Sequence, residues 1–532
     1  MKIRDYFLLF IAGLIISSLM LLIRPYTGYM DADYYFGTAR EIASGYGFTQ
    51  NFLWNYLDYP IGIPHPAFTY WMPLTSIIAA VGLWFFQSSE LLFSRIPFVV
   101  VFSFVPVITA MMTYRITRLR SSAWVAGLLS VFCGYYLRFI SEPDSFGVTM
   151  ILGPIIILLG GLSTSTRKRW VISILVGVLC GLMHMSRADG ILWLIIGATG
   201  LIFSGRVFEK SSNDLRVNKF LFRNSFYRVG LLFAGYLIIT FPWYYRNFDY
   251  FGSLFPPGNS RTLFLTEYAQ IFSFPAASIT FLTWWNNGLG KILSGILSAV
   301  GTNLATAFVV QGNIVLLPLA LIGMFNKKST LTMRLTLLAW LIIFLSMSIV
   351  FPYAGSRGGY LHSGAAIQPL IWSYAALGLS IVIQKGTEWR KWNGNVASRL
   401  FNGFAIFIAM IISGYIVWGD KINAEKSVSA NQWNDYVLVD NYIGQTTYIS
   451  NYYVMVNNPP AYTNATNRPA VVIPYGNLVT LNEVASKYNV TYLIIDQNHI
   501  QNFEMLYKIP QDYDNLIYLG SIKDYRVFEF TK

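Results

Sequence analysis

Long apolar runs alternate with short polar segments over the first 419 residues of the chain. The first run, 7–23, follows Lys2 and Arg4, and no small-residue cleavage site comes after it, which is typical of an uncleaved membrane anchor. Most runs approach the roughly 20 helical residues that cross a hydrocarbon core, so they predict membrane-spanning helices. The later runs lie near 67–86, 93–114, 122–140, 145–163, 170–186, 190–204, 229–245, 303–325, 333–352, 364–384 and 400–418.

Basic residues in the connecting segments predict the orientation of these helices. Because cytoplasmic loops carry most of the lysine and arginine, we place the N-terminus and five basic clusters inside. The run 67–86 then cannot cross the membrane, and its Pro73 suits a re-entrant or surface helix. About eleven spans remain, in the cell membrane. The clusters are Arg115/Arg118/Arg120, Arg167/Lys168/Arg169, the basic residues from Arg206 to Arg228, Lys327/Lys328/Arg334, and Lys385/Arg390/Lys391/Arg399.

The pattern changes at about residue 420, where the long apolar runs stop and short strand-like runs begin. A helical stretch, 481–488, precedes the strand-like run 491–495. We therefore predict an α-helical polytopic membrane domain over 1–419, with a first outside loop at 24–92. A small extracytoplasmic α/β domain follows over 420–532. Its other predicted strands are 447–449, 470–473, 516–519 and 526–530.

The composition agrees with a membrane protein. Hydrophobic residues make up 55% of the chain, charged residues 12%, and the mean hydropathy is +0.48. A soluble domain carries about 25% charged residues. The net charge of +13 lies in short loops between apolar runs, which argues against a nucleic-acid partner. Both cysteines, Cys133 and Cys180, fall inside apolar runs and are expected to be small buried side chains.

The first outside loop carries two acids, Asp31 and Asp33, just after the first apolar run. A carboxylate at a membrane boundary can act as a general base or as a ligand for a hard cation. Residues at i and i+2 do not share a helix face, but a non-helical segment would let both approach one cavity. The alternative is a solvated loop acid that caps the short amphipathic helix after it.

A second acidic pair, Glu142 and Asp144, follows the third predicted span. Pro143 between them favours an extended backbone. Acids from two outside loops would attract a divalent metal, and we predict both as metal ligands. In the alternative interpretation, Asp144 only caps the next helix.

Three arginines near the outer ends of spans are predicted to bind phosphate, because positive charge is disfavoured on this side unless it has a partner. They are Arg187, Arg246 and Arg357. Snorkelling at the interface is the alternative. We predict that His65, His362 and Asp189 contact substrate, although a lone histidine is more often structural. We expect one outside cavity bordered by Asp31, Asp33, Glu142, Asp144, Arg187 and Arg246.

Taken together, these segments resemble the membrane glycosyltransferases of the GT-C fold, which include protein O-mannosyltransferases and aminoarabinose transferases of lipid A. The resemblance covers residues 1–250 well, 350–370 weakly and the last domain poorly. Ala32 stands where the family often has Glu. The matching segments are Asp31-Ala32-Asp33-Tyr34-Tyr35, Ala39-Arg40, Pro64-His65-Pro66, Ser94-Arg95-Ile96-Pro97, Arg187-Ala188-Asp189-Gly190 and Pro242-Trp243-Tyr244-Tyr245-Arg246-Asn247.

The resemblance implies a sugar donor on a polyprenyl phosphate within the membrane lipid, and an outside hydroxyl acceptor on a glycan, lipid or protein. Asp31 corresponds to the family's catalytic aspartate, and Asp33 is the reserve candidate. Asp144 corresponds to an acid that in some members helps to hold a metal, so Mg²⁺ or Mn²⁺ is a possible cofactor. The expected reaction is a single displacement with inversion, without a nucleotide sugar.

Other functions remain open at this stage. A flippase or transporter for lipid-linked sugars would need polar residues near mid-bilayer, and the predicted spans are largely free of ionisable groups. An O-antigen-type polymerase or ligase usually concentrates Arg and His in a large late outside loop, whereas the predicted loop 246–302 is modestly charged. A sugar-binding sensor that uses the terminal domain is a third alternative.

Overall fold

The computed structural model describes residues 1–162, 166–206, 215–326, 330–426, 432–446 and 451–531. It consists of a large helical bundle followed by a small α/β domain, which confirms the predicted fold class. Within these residues, eight helices are long and apolar enough to cross a membrane. They are Ile3–Ile23, Leu91–Thr117, Lys168–Ser186, Phe226–Phe251, Leu289–Gln311, Leu331–Val350, Pro352–Arg390 and Gly394–Gly419.

Several of the apolar runs form shorter helices in the structure than their lengths predicted. The run 67–86 forms a helix only over Leu74–Phe86. Its 13 residues rise by about 20 Å, less than the roughly 30 Å of a hydrocarbon core. This length suits a segment that does not cross, although the number of spans remains a prediction. The other short helices of the bundle are Arg120–Val131, Phe146–Gly160, Trp193–Arg206 and Leu316–Phe325.

The single span predicted over 303–325 is wrong in one respect. The apolar stretch starts earlier, as helix Leu289–Ala305, and a turn separates it from helix Leu316–Phe325. Asn313 and Ile314 both have left-handed φ values, 40° and 62°, which interrupt the helix. Part of the predicted outside loop 246–302 is therefore helical.

Close backbone contacts pack the bundle. A Cβ atom on Gly177 would lie 2.0 Å from the carbonyl oxygen of Leu232, and one on Gly235 would lie 2.2 Å from that of Ile174. These glycines let helix Thr166–Ser186 approach helix Leu215–Phe251 closely, as small residues do between membrane helices. This pair carries Arg187 at its end.

The C-terminal domain is built on a mixed sheet. The predicted helix is observed as Leu478–Lys487, and the predicted hairpin pairs Leu516–Ile522 with Tyr525–Phe530. The predicted strand 447–449 lies outside the described residues. The sheet order is Phe52–Leu53, Ala470–Val472, Tyr453–Val456, Val490–Ile495, Tyr525–Phe530 and Leu516–Ile522. Its helices are Gln432–Thr446, Pro459–Thr466, Leu478–Lys487 and Glu504–Lys508.

One edge strand of this sheet comes from the first loop of the membrane domain. Phe52 and Leu53 pair in parallel with Ala470 and Val471. A small antiparallel pair, Thr49–Gln50 with His65–Pro66, closes the loop beneath this strand. The first loop and the C-terminal domain therefore share one sheet. The loop is held by this pairing and by its own antiparallel strand pair.

Candidate functional site

The first-loop acids lie on a helix rather than on an extended segment. Helix Met30–Ala43 has Asp31 and Asp33 in its first turn, where negative charge favours the positive end of the helix dipole. Residues at i and i+2 point to different faces. The structure does not support the prediction that both carboxylates border one cavity, because Asp31 lies beside Asp144 and His362 whereas Asp33 contacts Trp433 and Asn458.

Asp31 meets Asp144 and His362, which come from two distant parts of the chain. The Nε2 atom of His362 lies 3.8 Å from Oδ2 of Asp31, and its Nδ1 atom lies 3.5 Å from Oδ1 of Asp144. One oxygen or nitrogen from each of the three side chains lies within 4.8 Å of the others. The side chain of Asp31 is 31% exposed, so this cluster is open to a substrate.

Asp144 is fixed by its surroundings. The Tyr29 hydroxyl donates to its Oδ2 at 2.9 Å, and the Ser145 N–H donates to its Oδ1 at 2.5 Å. The next residue, Phe146, begins a helix, and its ring stacks on the His362 imidazole with the ring centres 4.1 Å apart. The start of helix Phe146–Gly160 therefore positions Asp144, and its first residue packs against His362.

Glu142 does not join this cluster. The Asp144 N–H donates to the Glu142 carbonyl at 2.7 Å, so the backbone turns tightly at Pro143 instead of staying extended. The Glu142 carboxylate is buried and pairs with Arg95 at 2.7 Å. Arg95 also donates to the Ser141 carbonyl at 3.1 Å. The geometry gives Glu142 a structural position behind the loop and does not support the predicted metal role.

Arg187 faces the cluster from the end of helix Thr166–Ser186. Its Nε donates to Asp189 at 2.9 Å, so Asp189 orients the guanidinium. Burial lowers the pKa of Arg187, but the charges of Asp189, Asp144 and Asp31 outweigh burial and raise it. Because its pKa is raised, Arg187 stays charged beside the two acids of the cluster. Its side chain is 15% exposed.

Two tyrosines and a second arginine extend the cluster. The guanidinium of Arg357 lies over the Tyr268 ring, 5.4 Å from its centre. Tyr268 interacts electrostatically with Asp31 and with Tyr70. Burial raises the pKa of Tyr70 to about 12, so its hydroxyl stays protonated near Asp31. Arg187 thus lies beside the two acids, and Arg357 approaches them through the Tyr268 ring.

Asp33 points to the opposite face of its helix, towards the C-terminal domain. Its carboxylate accepts hydrogen bonds from the Thr27 hydroxyl, from Trp433 Nε1 at 2.9 Å and from Asn458 Nδ2 at 3.2 Å. Burial nevertheless raises the pKa of Asp33 to about 7. Asp33 is buried behind the site, which does not favour it as a reserve base.

Arg246 and His65 also lie away from the cluster. Arg246 donates to the Ala67 carbonyl at 2.7 Å and stacks over the Trp243 ring at 4.9 Å. His65 is buried and pairs with Asp58 at 2.8 Å. Both side chains hold the first loop in its fold, and their geometry does not support the phosphate and substrate roles predicted for them.

The pKa values of the two acids of the cluster are shifted in opposite directions. Burial raises the pKa of Asp31 to about 6. Burial also acts on Asp144, but His362 and the donors Ser145 and Tyr29 outweigh it and hold the pKa of Asp144 below its usual value. Neighbouring acids with pKa values moved apart are typical of a general base beside a permanently charged partner.

The cluster suits a divalent metal. Two carboxylates and one imidazole are donors that Mn²⁺ and Zn²⁺ accept. The Nδ1 atom of His362 is buried and makes no hydrogen bond with the described residues, although it lies 3.5 Å from Asp144. A cation between these side chains would give that nitrogen a partner. The donor set therefore fits a metal, with His362 in place of the predicted Glu142.

Sequence reasoning missed Tyr29, Tyr70 and Tyr268. Tyr29 lies two residues before Asp31, and a donor so near a candidate acid could have been noted. Tyr70 and Tyr268 belong to none of the motifs identified in the sequence, so only the folded chain places them near Asp31.

No protein-family model matches the chain, and no curated protein is similar to it. Solved structures are similar in fold. ArnT from Cupriavidus metallidurans has a TM-score of 0.58 in the apo state, with 13% identity over 99% of this chain and 98% of ArnT. Its structure bound to undecaprenyl phosphate has a TM-score of 0.52, with 13% identity and the same coverage.

An archaeal structure is similar as well. The oligosaccharyltransferase of Archaeoglobus fulgidus, in complex with Zn and sulfate, has a TM-score of 0.54. The identity is 14% over 92% of this chain and 68% of that protein. At such identities the similarity establishes the architecture, and the chemistry must be argued from the side chains described above.

Proposed function

Because the chain has the GT-C fold of two polyprenyl-phosphate-dependent glycosyltransferases, we propose that it is a membrane glycosyltransferase of the same kind. It transfers a sugar from a polyprenyl-phosphate donor to a hydroxyl acceptor on the extracytoplasmic face. One observation carries this proposal: Asp31, Asp144 and His362 form an acidic cluster beside Arg187.

The arginines supply the donor site in this proposal. A polyprenyl chain lies in the bilayer, so its phosphate reaches the protein at the membrane surface. Arg187 lies beside the acids and Arg357 lies over the neighbouring Tyr268 ring, and guanidinium groups hold phosphate through paired hydrogen bonds. The ArnT structure with undecaprenyl phosphate shows that this fold can bind such a lipid. We assign the leaving phosphate to these two side chains.

Asp31 then acts as the general base. It accepts the proton of the acceptor hydroxyl while that oxygen forms a bond to the anomeric carbon. The bond between the anomeric carbon and the phosphate oxygen breaks, and polyprenyl phosphate leaves with the bonding electrons. A single displacement of this kind inverts the anomeric centre. Asp31 suits this role because it is partly exposed and has a pKa of about 6.

Asp144 and His362 complete the site. Together with Asp31 they would hold a divalent cation, whose positive charge would stabilise the anionic phosphate. The archaeal structure contains Zn, which supports a metal in this fold. We expect His362→Ala to lose a bound divalent cation that the purified wild-type protein retains, measured by elemental mass spectrometry. His499→Ala, in the C-terminal domain, is the control and should keep the cation.

Turnover of labelled donors tests the proposal. Purified protein in lipid nanodiscs would receive a panel of radiolabelled sugars on undecaprenyl phosphate, with cell-envelope glycolipids as acceptors. We expect release of undecaprenyl phosphate from at least one donor, and a loss of about 10²–10⁴-fold in the Asp31→Asn variant. In sealed proteoliposomes, donor that crosses the bilayer without being consumed would instead indicate a carrier. Unchanged turnover by the Asp31→Asn variant would show that Asp31 is not the general base.

A further inference from the structure

Asp33 is the most completely hydrogen-bonded acid behind the site. Its side chain is only 1% exposed and accepts from Thr27, Trp433 and Asn458. Its main-chain carbonyl accepts a fourth bond, from Asn464 Nδ2 at 2.8 Å. Three of these donors belong to the C-terminal domain, so one residue of the first-loop helix binds two helices of that domain.

The partners of Asp33 are themselves held in place. Asn458 caps the helix Pro459–Thr466 by accepting from the Ala461 N–H at 3.3 Å, and its Nδ2 also donates to Gln432 at 2.9 Å. The Trp433 ring stacks on Phe36 with the ring centres 5.7 Å apart. Because these donors are fixed, they define one position for the carboxylate.

The same face of helix Met30–Ala43 continues the contact. A Cβ atom on Gly37 would lie 2.8 Å from Oδ1 of Asn464, so any larger residue would require the Asn464 side chain to move. Arg40 donates to Asn467 at 2.6 Å and to the Asn464 carbonyl at 3.3 Å. Asp33, Gly37 and Arg40 are spaced as neighbours on one helical face. Asp31 projects from a different face of the same turn.

We propose that Asp33 is a positioning residue that docks the C-terminal domain on the back of the helix bearing Asp31. The domain then sets the position of Asp31 relative to Asp144 and His362. The effect on Asp31 rests on the proposed function of Asp31 as the general base. The docking of the C-terminal domain by Asp33 does not depend on that function. A carboxylate is required because all three side-chain partners donate. Asparagine would turn an NH₂ group towards at least one of these donors.

Asp33→Asn and Trp433→Phe test the docking, with Asp31→Asn as the matched control on the same helical turn. Phenylalanine keeps a ring against Phe36 and removes only the indole donor. Hydrogen–deuterium exchange would be measured over Gln432–Thr446 and Pro459–Thr466 in the full-length protein. We expect faster exchange in Asp33→Asn and Trp433→Phe, and wild-type exchange in Asp31→Asn.

Kinetics separate positioning from a general effect on folding. With an undecaprenyl-phosphate sugar that the wild type uses, kcat should fall about 10- to 100-fold in Asp33→Asn while the donor KM stays unchanged. Trp433→Phe should reduce kcat less, and should add little in the Asp33→Asn background because both changes break the same contact.

The results that would overturn the proposal are distinct from those that would overturn the proposed function. Wild-type exchange in both Asp33→Asn and Trp433→Phe would refute the docking role. A dead Asp33→Asn enzyme with wild-type exchange, beside a fully active Trp433→Phe enzyme, would place Asp33 in the chemistry instead. If the Asp33→Asn variant does not fold, the exchange rates of the Trp433→Phe variant test the docking role. If the wild type consumes no donor, the exchange experiment still tests the docking.

Discussion

At the scale of single residues, the account depends on the unequal environments of Asp31 and Asp144. Asp144 is buried and accepts hydrogen bonds from Ser145 and Tyr29, which hold its pKa below the usual value. Asp31 is partly exposed, and the surrounding protein raises its pKa to about 6. A carboxylate whose pKa is near the working pH can both exist as the base and accept a proton in the reaction.

This pKa gives a pH dependence. The active form of Asp31 is the carboxylate, so a pKa raised to about 6 makes activity fall as the pH drops through about 6. In protein freed of divalent cations, only about a tenth of the base would be ionised at pH 5, and kcat/KM should fall about tenfold, whereas a cation bound by Asp31 would move this loss to lower pH. A profile of kcat/KM from pH 4.5 to 8 checks this, and a flat profile would contradict it.

Two of the three arginines that were predicted to bind phosphate should behave differently. Arg187 faces the acids, whereas Arg246 binds the Ala67 carbonyl. Losing a charged hydrogen bond costs about 1.5–3 kcal/mol, so Arg187→Gln should weaken undecaprenyl phosphate binding about 10- to 100-fold. Arg246→Gln should bind nearly as the wild type and melt at a lower temperature. Binding in nanodiscs by native mass spectrometry measures the difference. Equal losses in both variants would contradict the assignment.

Part of the site could be predicted from residue type alone. Asp31, Asp144, Arg187 and His362 are polar residues near the predicted ends of spans, and the charge-derived topology placed them on one side. The direction of each side chain could not be predicted, because it depends on a helix at Met30–Ala43 and a tight turn at Pro143. Those two local structures separate Asp31 from Asp33 and Asp144 from Glu142.

At the scale of the elements, the strand Phe52–Leu53 connects the two parts of the molecule. Leu53 is buried in the core of the C-terminal domain, beside Tyr56 and Val471. Replacing it with alanine leaves a cavity that should cost about 2–5 kcal/mol. We expect Leu53→Ala to unfold at a lower temperature by differential scanning fluorimetry. Ile61→Ala, at a side chain 95% exposed in the same loop, is the control and should melt as the wild type.

Periodicity predicted the helices well because an apolar run of that length has few alternatives. It did not predict the turn at Asn313 and Ile314. Gly312 and Asn313 are a turn signal, but Ile314 begins an apolar run, and isoleucine rarely adopts a left-handed φ. The strand Tyr453–Val456 was missed for another reason. Its parallel partners, Ala470–Val472 and Val490–Ile495, are distant in sequence and give no local hairpin signal.

At the scale of the whole molecule, the orientation in the membrane is the next prediction. We expect Glu90 and Asp524 outside and Lys391 inside, from the distribution of basic clusters. Single cysteines at these exposed positions, in a protein whose own Cys133 and Cys180 are buried, can be labelled with an impermeant maleimide in intact cells. Labelling should occur at positions 90 and 524 only. Labelling at position 391, or no labelling at position 524, would contradict the predicted orientation.

The position of a bound lipid phosphate tests the central claim most directly. The measurement is a cryo-electron microscopy structure of the full-length protein in nanodiscs with undecaprenyl phosphate. The account predicts phosphate density within hydrogen-bond distance of both Arg187 and Arg357, beside the Asp31 carboxylate. Phosphate bound at another surface, or no phosphate at saturating lipid, would contradict the account.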